Sequence, residues 1–142
     1  NLDWLRYVLG DVAEVTGLSK TALPDVTIQD NVVAVLKFAR GTIGQIMASW
    51  SSASNWLESG LVGTKGVLRT GQGGPITVYP VGGEPKTYEP ERIDMYLKED
   101  EVFIDSIVNN SPYPLDPAEA KESLALSLAI LKSAQTGQTI TI

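Results

Sequence analysis

The side chains that could carry out chemistry are limited by composition, because the 142 residues include no histidine and no cysteine. This excludes disulfides, thiolate zinc sites, cysteine nucleophiles, Ser-His-Asp catalysis and imidazole proton transfer within the chain. Tyrosine, lysine, aspartate and glutamate remain as acid-base groups. A glycosidase with two carboxylates is compatible with this composition, but no such pair can be identified from the sequence. We therefore predict neither a catalytic residue nor a metal ligand here.

Two residues are candidates for contact with a small-molecule substrate. Asp3 stands at the start of a predicted helix, where a carboxylate can accept hydrogen bonds from substrate hydroxyls or can only cap the helix. Trp56 follows a short polar segment, and its ring could stack on a sugar or pack against its own sheet. For Tyr79, Tyr88 and Tyr96 the same alternatives exist, with packing favoured. Asp3 and Trp56 are the predicted substrate-binding residues.

The glycine-rich segments are predicted to be turns and not phosphate-binding loops. A dinucleotide loop requires G-x-G-x-x-G between a strand and a helix, so that backbone amides and the helix dipole meet the pyrophosphate. The segment 71–76 (GQGGPI) lacks the last glycine and leads into a predicted strand, and the segment 63–66 (GTKG) lies between two predicted strands. We therefore predict that this chain by itself binds no cofactor.

Hydrophobic periodicity and turn residues predict an α+β fold. Helices are predicted over 2–9, from a cap at Asp94 to about Asn109, and from a cap at Asp116 to Gly137. Strands are predicted over 11–19, 31–39, 42–51, 59–62, 67–70, 76–79, around 87–88, and over 138–142. Residues 1–142 are predicted to form a single domain in which helices pack on one face of a mostly antiparallel, open-faced sheet.

The predicted elements carry broad apolar surfaces. The strand over 31–39 is apolar on one face through Val32, Ala34, Leu36 and Phe38, and largely apolar on the other through Val33, Val35 and Ala39. The second helix has an apolar stripe of Phe103, Ile104, Ile107 and Val108. The third helix is apolar through Leu124, Leu128 and Leu131, and its apolar surface is widened beyond one stripe by Ala125, Leu126, Ala129 and Ile130. In a sheet with one face exposed to water, apolar and polar residues alternate more regularly along each strand. We therefore expect helices to cover one sheet face and a partner chain to cover the other.

The charge of the chain argues against two classes of partner. With 17 acidic and 11 scattered basic residues, the net charge is −6, so the basic patch that binds phosphate backbones or acidic membranes is missing. No apolar run approaches the roughly 18–20 residues that span a bilayer, and the first residues do not resemble a signal peptide. We predict a cytoplasmic protein that binds neither nucleic acid nor membrane.

Six short patterns occur in one order and spacing along nearly the whole chain. They are LDWLRYVLG (2–10), QD (29–30) followed by LKFARG (36–41), SW (49–50), VGTKG (62–66), FIDSI (103–107) and SAQTG (133–137). No single pattern is specific, but the ordered set resembles the C-terminal domain of the glucose-fructose oxidoreductase / inositol dehydrogenase (Gfo/Idh/MocA) family.

The resemblance implies a two-domain oxidoreductase that acts on a sugar, a polyol or a related hydroxy compound. An N-terminal Rossmann domain would bind NAD or NADP, and a domain like this one would supply part of the substrate pocket and the homo-oligomer interface. Family members carry a His, two further residues and an Asp at the junction; Asp3 matches that Asp, and the His would immediately precede Asn1. The catalytic Lys would lie further upstream. The resemblance thus implies a chain that is inactive alone.

The alternative is a stand-alone small-molecule-binding or dimerisation module without a cofactor domain. The residues encoded upstream of Asn1 discriminate between the two: a His preceded by a Rossmann-type region indicates the enzyme, and a start codon indicates the module. The start at Asn1 in place of Met favours an interior cut. The sequence does not name the substrate, because that depends on the shape of the pocket. It does not decide between NAD and NADP either, because the missing half would read that choice.

Overall fold

The computed structural model describes residues 2–71 and 74–142. Its helices are α1 (Leu2–Leu9), α2 (Met95–Val108) and α3 (Pro117–Thr136). Its strands are β1 (Val12–Lys20), β2 (Asn31–Phe38), β3 (Ile43–Ser49), β4 (Glu58–Gly63), β5 (Gly66–Gly71), β6 (Ile76–Pro80), β7 (Lys86–Tyr88) and β8 (Ile140–Thr141). The predicted helices and strands are therefore confirmed, with the last strand shorter than expected.

The chain divides into two compact units, each with its own antiparallel sheet. One unit comprises Asn1–Ser52 and Pro114–Ile142, and the other comprises Ala53–Tyr113. The first sheet has the strand order β3-β2-β1-β8, and the second has the order β4-β5-β6-β7. The predicted α+β class with antiparallel strands is confirmed, but the strands belong to two sheets. The prediction of a single domain over 1–142 stays a prediction.

The core of the first unit lies between its sheet and α3. Val15 on β1 and Ala34, Leu36 and Phe38 on β2 are at most 1% exposed, as is Leu126 of α3. Each large apolar side chain buried in this way contributes roughly 1.5–3 kcal/mol of transfer free energy. The three leucines of α1, spaced at helical intervals, pack against the same cluster. The helices of this unit therefore cover one face of its sheet, as the sequence predicts.

The outer face of the same sheet is exposed. Strand register aligns Leu18, Val33 and Met47 in one row across β1, β2 and β3, and Thr16, Val35 and Gln45 in the next. Val33 is 46% exposed and Val35 is 53% exposed. The predicted division of the β2 side chains into two faces is confirmed, because Leu36 and Phe38 face the core while Val33 and Val35 do not. Among the described residues, Val33 and Val35 remain exposed on this face, and its cover by a partner chain stays a prediction.

α3 begins and ends where its sequence signals indicate. The Asp116 carboxylate accepts a hydrogen bond from the Ala118 amide, and Gly137 ends the helix in the left-handed conformation with φ of 69°. Of its apolar residues, Leu126 and Ile130 are buried together with Ser133, whereas Leu124 and Leu128 are 60% and 57% exposed. α3 is apolar around much of its circumference, so periodicity alone does not select the face that docks.

The second unit is a four-stranded meander followed by α2. Asp94 caps α2 by accepting hydrogen bonds from the amides of Tyr96 and Leu97, as predicted. The predicted apolar stripe of α2 is 51% to 74% exposed, and it comprises Phe103, Ile104, Ile107 and Val108. Ser106 is the buried residue of α2, and its hydroxyl donates to the Phe103 carbonyl at 2.7 Å.

Candidate substrate-binding site

Asp3 lies inside the first turn of α1 and is exposed. α1 forms because its leucines pack toward the core, which leaves the other side of the helix for polar residues. The Asp3 carboxylate accepts a hydrogen bond from Ser123 Oγ of α3, with an O···O distance of 2.9 Å. This contact ties α1 to α3 and differs from the capping role that the sequence offered as the alternative. Whether Asp3 also contacts a substrate stays a prediction.

Arg6 lies one turn after Asp3 and is nearly buried, with 9% of its side chain exposed. Its guanidinium donates to the Glu119 carbonyl at 3.0 Å, to Glu119 Oε2 at 2.9 Å and to Ser123 Oγ at 3.0 Å. A longer ion pair of 3.4 Å reaches Asp11. Removing a guanidinium from water carries a desolvation cost, and this cost is offset only when the group is paired and hydrogen-bonded. Arg6 therefore anchors α1 on the first turns of α3.

Sequence reasoning missed both Arg6 and Ser123 as neighbours of Asp3. Arg6 carried a local signal, because residues three apart on a helix share a face. Ser123 carried none, since 120 residues separate it from Asp3. Glu119 lies three residues after the Asp116 cap of α3, and its carboxylate accepts a hydrogen bond from Arg6.

Chemically, this arrangement is suited to binding and carries no feature of proton transfer. A carboxylate accepts hydrogen bonds through two oxygens, so an exposed Asp3 has acceptor capacity left after its bond to Ser123. Sugar and polyol hydroxyls are suitable donors, and hydrogen bonds to an ionised acceptor are stronger than neutral ones. Across residues 2–71 and 74–142, no group of three or more aspartate or glutamate side chains is arranged to hold a metal ion.

Trp56 belongs to the second unit, where it lies just before β4. Its side chain is 71% exposed, so most of the ring surface is available for stacking, in contrast to the packed alternative. Tyr96 is 80% exposed, while Tyr88 and Tyr79 are 55% and 42% exposed. Asp3 and Trp56 fall in different units, and each is described only within its own. A role for Trp56 in sugar binding stays a prediction.

A buried carboxylate that the sequence did not single out organises the β1–β2 connection. Asp30 is 5% exposed, and it accepts hydrogen bonds from the amides of Ala22 and Leu23 at 2.8 Å and from Asn31 Nδ2 at 2.9 Å. Burial acts to raise the pKa of Asp30, but these hydrogen bonds outweigh it and hold the pKa below its ordinary value. Asp30 is thus an ionised structural anchor for this loop.

The glycine segments do not fit a dinucleotide. Gly63 and Gly66 pair across β4 and β5, so Thr64 and Lys65 form the two-residue turn of a hairpin. No helix N-terminus follows this turn to bind a pyrophosphate. In the segment 71–76, Gln72 and Gly73 lie outside the described residues, and the chain continues directly into β6. The described part of the chain therefore offers no phosphate-binding loop for NAD or NADP.

No helix within the described ranges combines the length and apolar character needed to cross a lipid bilayer.

The family comparison agrees with the sequence patterns. Residues 1–69 match the family model described as the GFO/IDH/MocA C-terminal domain. The resemblance to this family's C-terminal domain is therefore confirmed over residues 1–69. No match was found among curated proteins.

Solved structures share the fold over nearly the whole chain. An oxidoreductase from Agrobacterium radiobacter, solved with NAD+, L-tartaric acid and magnesium, is 21% identical with a TM-score of 0.82 over 99% of this chain and 46% of its own. The aldose-aldose oxidoreductase from Caulobacter crescentus, solved with glycerol, is 20% identical with a TM-score of 0.86 over 99% of this chain and 44% of its own. Levoglucosan dehydrogenase with NADH and levoglucosan is 17% identical with a TM-score of 0.85, over 99% and 47%. The chain thus spans less than half the length of these oxidoreductases.

Proposed function

We propose that this chain is the substrate-binding and oligomerisation domain of an NAD(P)-dependent oxidoreductase that acts on a sugar, a polyol or a related hydroxy compound. The observation that carries the proposal is the match of residues 1–69 to the GFO/IDH/MocA C-terminal domain. It is supported by the fold shared with oxidoreductases whose ligands include glycerol, levoglucosan and L-tartaric acid. In this proposal the protein is cytoplasmic, and Asp3 and Trp56 contact the substrate.

The proposal assigns the cofactor to a separate N-terminal Rossmann domain. Two of the similar structures contain NAD+ or NADH, and this chain covers less than half of each. The hairpin at Gly63–Gly66 cannot serve as the pyrophosphate loop. The chain alone is therefore inactive, and the alternative of a stand-alone binding or dimerisation module is tested by the sequence encoded upstream of Asn1.

We expect the isolated chain to bind neither NAD(H) nor NADP(H). Calorimetric titration with each of the four forms should give no saturable heat at cofactor concentrations up to about 1 mM, the weak end of usual protein affinities. The matched control is the longer protein that includes the upstream region, which should bind either NAD(H) or NADP(H) with micromolar affinity. Micromolar binding by the isolated chain would contradict the assignment of the cofactor to a separate domain. A longer protein without cofactor affinity would contradict the assignment as an oxidoreductase.

Self-association is proposed to use the exposed outer face of the first sheet. Leu18, Val33 and Met47 are 73%, 46% and 62% exposed and form one cross-strand row. Lys37 and Glu14 on this face form an ion pair with an Nζ···Oε1 distance of 2.8 Å, so their opposite charges offset each other. A largely apolar face whose charges are paired, on a chain of net charge −6, is well suited to a second copy of itself.

Val35→Lys is expected to break this association. Val35 lies on β2, between β1 and β3, so a lysine there would place an unpaired charge inside the interface, at a cost of about 3 kcal/mol or more. That cost corresponds to an increase in Kd of at least about 100-fold, measurable by sedimentation equilibrium. Val81→Lys is the control, because Val81 is 75% exposed in the turn after β6. A wild-type chain that remains monomeric at high micromolar concentration, or equal behaviour of the two variants, would refute the assignment.

A further inference from the structure

We infer that Ser123 is a positioning residue that holds the Asp3 carboxylate in the orientation in which it accepts a substrate hydroxyl; this inference rests on the proposed function. The geometry behind it is a chain of hydrogen bonds from Arg6 to Ser123 and from Ser123 to Asp3, with N···O and O···O distances of 3.0 Å and 2.9 Å.

The direction of each bond in this chain is determined by the chemistry of its ends. Arginine can only donate hydrogen bonds, and an ionised carboxylate can only accept them. Ser123 Oγ must therefore accept from Arg6, which leaves its single hydrogen for Asp3. A serine hydroxyl in solution rotates freely, but the Ser123 hydroxyl is held in one orientation between the Arg6 guanidinium and the Asp3 carboxylate.

The donor side of the chain is rigid. Arg6 is held by the Glu119 carbonyl and carboxylate as well as by Ser123, with 9% of its side chain exposed. Ser123 is half-buried on α3, the helix whose Leu126 and Ile130 are part of the core. Binding groups are best oriented when their supporting contacts come from packed helices or strands. Asp3 is exposed, so without this contact its carboxylate would sample several rotamers.

A fixed carboxylate matters for substrate affinity because a mobile one must be ordered when the ligand binds. Ordering a side chain of this kind corresponds to about a 3- to 10-fold loss of affinity. Loss of the Ser123 hydroxyl should therefore raise KM by that factor and leave kcat within about 2-fold. A purely structural link between α1 and α3 would behave differently, because it would reduce the active fraction and hence kcat at unchanged KM.

The first test measures the Asp3 rotamer directly in this chain by NMR. The two Hα–Hβ couplings of Asp3 should indicate one staggered rotamer in the wild type and in Ser127→Ala, and averaged values in Ser123→Ala. Ser127 is one turn further along α3, and its hydroxyl donates to a helix carbonyl, so it is a matched serine outside the Arg6–Ser123–Asp3 chain. Ser123→Thr keeps the hydroxyl and should keep the single rotamer. Unchanged Asp3 couplings in Ser123→Ala would overturn the inference.

The second test uses the longer oxidoreductase, with D-glucose and glycerol as the trial aldose and polyol. Asp3→Asn and Ser123→Ala should both raise KM without changing cofactor affinity, and Ser123→Thr should restore KM. If Asp3→Asn alters KM while Ser123→Ala does not, the positioning role is wrong and the substrate contact of Asp3 stands. If Asp3→Asn has wild-type kinetics, Asp3 does not contact the substrate and the inference fails with that contact. If the longer protein turns over no sugar, polyol or related hydroxy compound, the proposed function itself fails.

Discussion

Replacing Gly66 by alanine is expected to destabilise the second unit by about 3 kcal/mol or more, because two separate penalties add at this position. Gly66 has a φ of +149°, a conformation that residues with a Cβ rarely adopt. A Cβ built there would collide with the backbone carbonyl oxygen of Tyr79 and approach Pro80 Cα to 2.9 Å. Both obstacles are backbone atoms of β6, so relief requires β5 and β6 to separate.

Gly82→Ala is the matched control for this variant. Gly82 also has a positive φ, +71°, but a Cβ there would meet no atom within 4 Å. It should therefore cost only about 1 kcal/mol, from the left-handed conformation alone. Urea unfolding, combined with amide hydrogen exchange on β5 and β6, measures both variants. Equal stabilities of Gly66→Ala and Gly82→Ala would contradict the steric argument.

Removing the Ser133 hydroxyl is expected to lower the free energy of unfolding by about 2 kcal/mol, which is typical for a buried donor left without an acceptor. Ser133 is fully buried, and its Oγ accepts from the Gly17 amide at 2.9 Å and donates to the Gln138 carbonyl at 2.6 Å. β8 pairs with β1 only at Glu14 and Val15. The Ser133 hydroxyl therefore accepts the hydrogen bond of the Gly17 amide on β1, beyond the residues of β1 that pair with β8.

Ser127→Ala on the same helix separates this effect from helix propensity. The Ser127 hydroxyl bonds back to the Ser123 carbonyl within α3, so its loss should change stability by no more than about 0.5 kcal/mol. Both variants gain the same helix propensity from alanine. If chemical denaturation gives the two variants the same stability, then Ser133 does not carry the backbone bonds of β1 in the way described.

Local patterns in the sequence were sufficient to predict the order of the helices and strands and the caps of the two longer helices. The Asp94 and Asp116 caps and the helix end at Gly137 were each predicted from neighbouring residues and confirmed. Their determinants lie within a few residues of one another, as the physics of capping and turns requires. Alternation along β2 likewise separated the core face, with Leu36 and Phe38, from the outer face.

What only the tertiary structure decided depends on contacts between residues that are distant in the sequence. The Ser123–Asp3, Arg6–Glu119 and Ser133–Gly17 hydrogen bonds join residues 113 to 120 positions apart, and no local pattern encodes such pairs. The docking face of α3 was also undetermined by periodicity, because its apolar residues surround much of the helix. The close approach of α3 to β1 determined the docking face. A Cβ at Gly17 would lie 2.9 Å from the Ile130 carbonyl oxygen, so the absence of a side chain at Gly17 lets α3 approach this closely. The side of α3 with Ile130 and Ser133 therefore faces β1, and the side with Leu124 faces away.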